Sequence, residues 1–276
     1  MKLGSFPRLA ATLAVVGLCA CDRNSTEDVN DIALKYSRGD GVTKDAEFAV
    51  TLLRAAADKN NALAQYNLGV MYAKGEGVPK DDAEAVKWYR KAADQNSVFA
   101  QSALGLMYAR GEGVPKDDAE AMKWTRKAAD QSYELAQYRL GWMYAKGEGV
   151  PKDSAEAMKW TRKAADHNHA PAQTVLGWMY ATGEGVPKDA VEAVKWYRKA
   201  ADQNHAPAQT TLAWMYARGE GVPKDDTLAY MYFNLAAAAN PDAAKAREDL
   251  ASAMTREQIA EGQRLSREWK PTAPTK

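Results

Sequence analysis

The feature that most constrains this chain is a motif that returns every 36 residues. The segment that opens at Tyr72 (YAKGEGVPKDDAEAVKWYRKAADQN) is repeated with small changes from Tyr108, Tyr144, Tyr180 and Tyr216. A fixed period of this length indicates a repeat architecture, in which each unit buries its apolar surface against its neighbours. The period therefore outweighs any estimate of domain number from the length of 276 residues.

Six units share this period, and each carries a Gly-x-Gly-Val segment that is followed by Lys and Asp. The first glycines of these segments are Gly39, Gly75, Gly111, Gly147, Gly183 and Gly219, and the six repeats occupy residues 26–241. Before each segment lies an apolar stripe at i, i+4, i+7 and i+8, which predicts an amphipathic helix, helix A. In the second repeat this stripe is Ala64, Leu68, Met71 and Tyr72. The stripe that follows, Ala85, Trp88, Tyr89 and Ala92, predicts a second helix, helix B.

The segment between the two helices is predicted to be a turn. Gly75 follows helix A, where a left-handed residue ends many helices, and Pro79 prevents the helix from continuing. Asp81 is the expected N-cap of helix B, with Glu84 as its capping-box partner. A phosphate-binding loop is not expected, because the glycines lie at the negative end of helix A and enclose the carboxylate of Glu76.

These patterns predict an all-α fold, a right-handed alpha/alpha solenoid of six 36-residue helix pairs. Glycines in helix A, such as Gly69, are expected to let neighbouring helices cross closely. After the last repeat, residues 242–270 are predicted to form capping helices, and residues 271–276 a tail. Thr255 and Gln258 form a further expected capping box within this region.

The repeats resemble Sel-one-like repeats, which are relatives of the tetratricopeptide repeat. The residues that carry the resemblance run from Ala64 to Ala93 in the pattern A-x-x-x-L-G-x-M-Y-x-x-G-x-G-V-x-x-D-x-x-x-A-x-x-W-x-x-K-A-A. The resemblance implies the solenoid fold and a role in binding other proteins, since members serve as adaptors in signalling, envelope polymer assembly, secretion and host contact. It leaves the partner open, because a fold does not fix a function.

The N-terminus has the pattern of an export signal. A basic start runs into ten apolar residues, 9–18, which are too few to span a bilayer as a helix. The sequence Leu-Cys-Ala-Cys that follows resembles a bacterial lipoprotein signal box, which implies a signal peptide at 1–20, lipidation of Cys21 and a tether at 21–25. Asp22 resembles an inner-membrane retention signal. We therefore expect a lipid-anchored, periplasm-facing envelope protein, with the inner membrane favoured; a simple secretory signal or a retained apolar anchor are the alternatives.

Composition and spacing argue against several other chemistries. The 37 Lys and Arg residues are interspersed with 36 Asp and Glu residues, so no basic surface for nucleic acid is expected. His167, His169 and His205 lack the cysteine and histidine partners of a zinc site, and we expect no metal or other cofactor. His169 and His205 each precede an Ala-Pro pair and are expected to be turn residues that begin helix A. No motif for a catalytic nucleophile is present, and the lipidated Cys21 would not serve as one.

One row of residues varies in a way that packing does not require. Opposite the core stripe of helix A, successive repeats carry Val70, Leu106, Trp142, Trp178 and Trp214. In solenoids of the resembled family the A helices line the concave face, which would expose these tryptophans. Exposed aromatic and arginine clusters are typical interface anchors, so the candidate partner-binding residues are Trp142, Trp178, Trp214, Tyr66, Leu106, Arg110, Tyr138, Arg139 and Lys146. The alternative is that each tryptophan packs sideways against the next A helix. A different set, on helix B, is assigned to packing: Trp88, Trp124, Trp160 and Trp196.

The expected function is that of a monomeric, non-enzymatic scaffold that binds an envelope or periplasmic protein through the concave face. One specific version is an immunity protein that blocks a periplasmic toxin. An enzyme remains an alternative, because some cysteine-rich relatives are linked to penicillin binding or β-lactam hydrolysis, although this chain lacks their disulfides. A third class is a protein that binds peptidoglycan or polysaccharide, because sugar rings also stack on rows of aromatic side chains.

Overall fold

The computed structural model describes residues 25–272, so the signal segment, Cys21 and Asp22 lie outside the described residues. Within residues 25–272 the chain forms 14 helices and no strand, which confirms the predicted all-α repeat fold. None of the helices in this range is long and apolar enough to cross a bilayer.

The chain divides into two compact units at residues 131 and 132, and each contains three helix pairs. The helices of the first unit are α1 Ser25–Arg38, α2 Ala46–Asp58, α3 Ala62–Lys74, α4 Asp82–Asp94, α5 Val98–Arg110 and α6 Asp118–Asp130. Those of the second unit are α7 Glu134–Lys146, α8 Ser154–Asp166, α9 Ala170–Thr182, α10 Ala190–Asp202, α11 Ala206–Arg218, α12 Asp226–Ala236, α13 Pro241–Ala251 and α14 Arg256–Glu268. From α1 to α12, odd numbers are A helices and even numbers are B helices.

The turn between helices A and B forms as predicted, apart from one hydrogen bond. Gly75 ends α3 in the left-handed conformation, with φ of 71°. The Asp81 side chain caps α4 by accepting a hydrogen bond from the Glu84 N–H at 2.9 Å. The reciprocal half of the predicted capping box is wrong, because the Asp81 N–H already donates to the Tyr72 carbonyl at 3.0 Å. The Glu84 carboxylate instead accepts a hydrogen bond from Lys87 Nζ at 2.8 Å.

The second glycine of the turn fits against the helix B of the preceding repeat. Gly113 has a φ of 70°, and a Cβ built there would lie closer than 3.0 Å to the carbonyl group of Asp82, at the start of α4. The Gly-x-Gly segment therefore ends one helix and also allows the turn to touch the previous repeat. Gly41 in the first repeat has the same left-handed backbone, but apart from its chain neighbours no atom of residues 25–272 lies within 4 Å of its Cβ position.

The core is built from the stripes that the periodicity predicts. In the first unit, Leu53 of α2, Leu68 of α3 and Trp88 of α4 belong to one buried cluster. In the second unit, Ala164 of α8, Leu176 of α9 and Trp196 of α10 form the equivalent cluster. Each cluster thus combines a helix B, the helix A that follows it and the tryptophan of the next helix B, so a single helix pair does not complete its own core.

The residues after the last repeat cover its exposed side, as predicted. Ala243 and Ala246 of α13 are buried in the same cluster as Phe233 of α12. Gly262 of α14 lies so close to the Tyr230 ring that a Cβ would not fit between them. The predicted capping box of α14 is present, with both hydrogen bonds between Thr255 and Gln258.

Candidate partner-binding site

The tryptophans of the repeats fall into two classes that differ in burial, and Trp269, which follows the last helix, is partly buried and belongs to neither. Those of helix B are 3–7% exposed: Trp88, Trp124, Trp160 and Trp196. Those of helix A are 40–47% exposed: Trp142, Trp178 and Trp214. Because α7, α9 and α11 belong to the same unit, the three exposed side chains lie on successive A helices of one compact body.

Three of the predicted binding residues lie in the first unit and do not form a common site there. The ring of Tyr66 packs against that of Phe99, with 5.7 Å between centroids. Leu106 is partly buried. Arg110 is exposed and forms an ion pair with Glu112 at 3.7 Å. The structure therefore distributes these three residues over separate local contacts.

In the second unit, four of the six predicted residues line one cleft. Tyr138, Trp142 and Lys146 of α7 and Trp178 of α9 surround a cavity of about 410 Å³. Its other lining residues are Gly141, Ala145, Lys152, Ala157, Thr161, Val175, Met179 and Glu184. The lining is mainly apolar, with the charged groups on its lysines and glutamate, and a cavity of this size and chemistry is typical of a binding site.

The two remaining predicted residues lie away from this cleft. Trp214 of α11 packs edge-on against Phe233, with 5.0 Å between ring centroids, and Arg218 lies 5.0 Å above its ring. Arg139 is partly buried and does not line the cavity. The Trp214 ring thus packs against helix B of its own repeat rather than against the next A helix, whereas Trp142 and Trp178 line an open cleft.

One of the residues that line the cleft occupies a position of helix B at which the repeats differ. In the second and fifth repeats this position carries Tyr89 and Tyr197, whose rings pack against Gly69 and Gly177 of the adjoining helix A. In the fourth repeat the same position is Thr161, which packs against Gly141 through its hydroxyl and is much smaller. A threonine therefore leaves open the space that a tyrosine ring fills elsewhere.

Thr161 was not among the site residues predicted from the sequence. The signal was present in the repeated segment, which reads Trp-Tyr-Arg in the second and fifth repeats and Trp-Thr-Arg in the third and fourth. The small residue distinguishes these two repeats from the others, and only in the fourth repeat does it coincide with a tryptophan on the outward position of helix A.

The rim of the cleft carries positive charge. Lys146 Nζ lies 4.8 Å from the centre of the Trp142 ring. Its counterpart in the first unit, Lys74, pairs with Glu76, but Lys146 makes no ion pair within the described part of the chain. Lys152 pairs with Glu184 across the rim at 3.7 Å. Burial raises the pKa of the Tyr138 phenol, so this wall of the cleft stays neutral.

The histidines are structural in this region, as the sequence indicated. The His169 ring caps α9 by accepting a hydrogen bond from the Ala172 N–H at 3.2 Å, and its centroid lies 5.0 Å from that of Tyr138. His205 Nδ1 shares a hydrogen bond of 2.8 Å with the Thr174 hydroxyl. Burial lowers the pKa of both rings. Among residues 25–272, no three His, Cys, Asp or Glu side chains come together in a way that could hold a metal ion.

Comparison with known proteins follows the same repeat boundaries. The family model of the Sel1 repeat matches six consecutive segments, residues 30–61, 62–97, 98–133, 135–169, 170–205 and 206–241. The chain belongs to the Sel1 repeat family. Sel1 repeat proteins are generally non-enzymatic scaffolds that bind protein partners. No curated protein shows a significant match to this chain.

Two solved structures resemble this chain at different levels. A Sel1 repeat protein from Oxalobacter formigenes is 37% identical, with a TM-score of 0.75 over 82% of this chain; the match spans 65% of that protein's length. The immunity protein PA5088 from Pseudomonas aeruginosa is 21% identical, with a TM-score of 0.51 over 81% of this chain and 85% of its own. The second likeness concerns the fold alone.

The Sel1 repeats also expose apolar side chains that the sequence analysis did not select. Leu63 and Phe99 are 45% and 47% exposed at the second position of α3 and α5. The fifth and sixth repeats carry Pro171 and Pro207 at this position. A proline in the first turn of a helix has a structural explanation, and the Phe99 ring packs against that of Tyr66, whereas Leu63 leaves an apolar side chain exposed.

Proposed function

We propose that this Sel1 repeat chain is a non-enzymatic scaffold of the bacterial cell envelope that binds a protein through the helix-A face of its second unit. The observation that carries the proposal is the exposure of Trp142, Trp178 and Trp214 on successive A helices of that unit. Exposing an indole ring forgoes the stabilisation that burial would provide, and every helix-B tryptophan is buried. Interfaces concentrate binding energy in tryptophan and arginine anchors.

The envelope part of the proposal rests on the N-terminal sequence. Lipidation of Cys21 would tether the chain to a membrane, with α1 beginning at Ser25. A tether of about four residues, at ~3.6 Å each, would hold the first repeat within roughly 15 Å of the membrane surface. The partner is then a membrane-proximal or membrane-bound protein. Cys21→Ala would move the chain from the membrane fraction to the soluble fraction after fractionation of its own host.

Crosslinked co-purification from the native envelope tests the binding face. We expect the triple variant W142A/W178A/W214A to recover its main partner at least tenfold less efficiently than the unaltered chain. The matched control is L63A/F99A, which removes exposed apolar side chains from A helices of the first unit. Equal recovery by the triple variant and the unaltered chain would show that the proposed face does not bind.

The same co-purification and one enzyme assay separate the other candidate functions. Recovery of a secreted toxin as the main partner would indicate that the scaffold is an immunity protein. Recovery of peptidoglycan or polysaccharide in place of protein would favour a glycan-binding solenoid. Turnover of a reporter β-lactam that one point substitution abolishes would identify an enzyme and overturn the scaffold proposal.

A further inference from the structure

The proposed function leaves open how the partner is recognised, and the cleft of the fourth repeat supplies a specific answer. We propose that the cleft between Trp142 and Trp178 receives one aromatic or large aliphatic side chain of the partner, flanked in the partner sequence by a carboxylate. This inference rests on the proposed scaffold function and deepens it, because it names the pocket and the chemistry of its occupant.

The shape of the cleft favours an apolar side chain. Its floor consists of Gly141, Ala157, Thr161 and Met179, and its walls of tryptophan and tyrosine rings. Thr161 is buried and Gly141 lacks a side chain, so the cavity reaches down to the backbone of α7. A concave apolar pocket between aromatic walls is where interface anchors insert, because burial there excludes water from the anchor.

The charge of the rim favours an acidic neighbour. Lys146 lies on the outer wall, in contact with the Trp142 ring and without an ion pair in the described residues. Lys152 adds a second ammonium group, which Glu184 partly neutralises. The rim therefore carries one net positive charge, and a carboxylate beside the anchor would complement it.

A sugar fits the cleft less well. Sugar recognition needs hydrogen-bond partners for several hydroxyl groups as well as an aromatic face. The charged groups here are on the rim, where one acceptor, Glu184, is already paired with Lys152. The floor offers chiefly carbon atoms. A protein side chain is therefore the occupant that the cleft supports.

The decisive variant fills the cleft with a side chain that the fold already accepts. Thr161→Tyr places at this position the residue that two other repeats use, Tyr89 and Tyr197, each beside an equivalent glycine. The variant is therefore expected to fold, which circular dichroism and a thermal melt verify. Thr161→Val is the matched control, because it preserves the volume of the side chain and leaves the cleft open.

Binding is followed through the indole N–H signals of ¹⁵N-labelled protein, assigned for Trp142 and Trp178 with phenylalanine variants. The probes are the blocked dipeptides acetyl-Asp-Phe-amide, acetyl-Asp-Ala-amide and acetyl-Lys-Phe-amide, together with the tetramer of N-acetylglucosamine. We expect acetyl-Asp-Phe-amide to shift the two assigned signals selectively. We expect binding at least tenfold weaker in T161Y and unchanged in T161V. Loss of the phenyl ring should abolish the shifts, and the lysine probe should bind about two- to fivefold more weakly.

Three outcomes would overturn the inference: no shift with acetyl-Asp-Phe-amide at millimolar concentration, equal shifts in T161Y, or stronger binding of the sugar tetramer. Co-purification with T161Y separates this inference from the proposed function. If T161Y recovers the partner normally while the triple tryptophan variant does not, the face binds but the cleft is not its anchor pocket. If the triple variant also recovers it, the proposed function itself is wrong.

Discussion

Substituting the second turn glycine should reveal how strongly one repeat holds the next. Gly113 and Gly41 occupy the same place in their turns and have nearly the same backbone, with φ of 70° and 73°. They differ in their neighbours. A Cβ on Gly113 would overlap the Asp82 carbonyl and the Ala83 nitrogen of α4, whereas a Cβ on Gly41 would meet no described residue within 4 Å other than its chain neighbours. Alanine at the two sites therefore separates conformational cost from inter-repeat contact.

The magnitudes follow from these two terms. A side chain in the left-handed region costs roughly 1–2 kcal/mol, and this cost applies to both G41A and G113A. In G113A the new methyl group must also retreat by about 1 Å from backbone atoms of the first turn of α4. That turn is fixed by the Asp81 cap and cannot move as a flexible side chain would. Overpacking of this kind adds roughly 1–3 kcal/mol. G113A should thus lose about 2–5 kcal/mol of unfolding free energy, and G41A about 1–2 kcal/mol.

Urea unfolding followed by far-UV circular dichroism measures the difference. A second pair, G41N and G113N, isolates the contact term, because asparagine tolerates the left-handed conformation better than alanine. We expect G41N to be close to the unaltered chain and G113N to remain clearly destabilised. If G41A and G113A lose the same stability within about 0.5 kcal/mol, the close approach between repeats contributes nothing and the reasoning fails.

Two further predictions concern burial and pH. Trp196→Ala removes a 4%-exposed side chain from a core cluster and should lower the free energy of unfolding by about 3–5 kcal/mol. Trp178→Ala removes a side chain that is 46% exposed and should lower it by less than about 1 kcal/mol. Similar urea midpoints for the two variants would contradict the division of the tryptophans into buried and exposed classes. Because burial lowers the pKa of His169 and His205 below the ordinary value of 6.5, the unfolded chain binds more protons than the folded chain in the interval below pH 6.5. Their contribution to stability is therefore complete above pH 6.5 and is lost as the pH falls through the lowered pKa values. In the double variant H169N/H205N each histidine is replaced by asparagine, the residue that caps the equivalent helix A at Asn61. Its urea midpoint should fall less between pH 7.5 and about pH 5 than that of the unaltered chain. An equal fall would show that the two histidines do not cause the pH dependence of stability.

The sequence predicted the fold well because the packing contacts recur with the 36-residue period. Leu68, Trp88 and the capping Asp81 have equivalents every 36 residues, so each expectation was supported several times. The Glu84 half of the capping box was wrong for a tertiary reason. The Asp81 N–H reaches back across the turn to the Tyr72 carbonyl, and a local motif does not contain that contact.

The site was harder to predict because it depends on which side chains meet. Helical-wheel counting indicated that Trp142 and Trp178 would face away from the core, and both are exposed. It did not indicate that Tyr138 and Lys146 would join them around one cavity while Trp214 packs on Phe233. Those outcomes depend on distances between helices and on the volume at position 161, which periodicity does not encode.

In a repeat fold, only some positions can determine which partner is bound. Positions that cap helices, stop them or fill the shared core must satisfy the same contacts in every unit, so their residues are largely interchangeable between repeats. Specific recognition must then use positions where the repeats differ. Two such positions are the outward residue of helix A, which carries Trp142 and Trp178, and the glycine-facing residue of helix B, which carries Thr161. These two variable positions lie on different helices and are distant in sequence, yet their side chains line the same cleft. Exposed aromatic rings without a deep cleft between them would bury little of a partner side chain. A small residue at the floor without aromatic walls would do no better. Their coincidence in one repeat is the strongest reason to place recognition there.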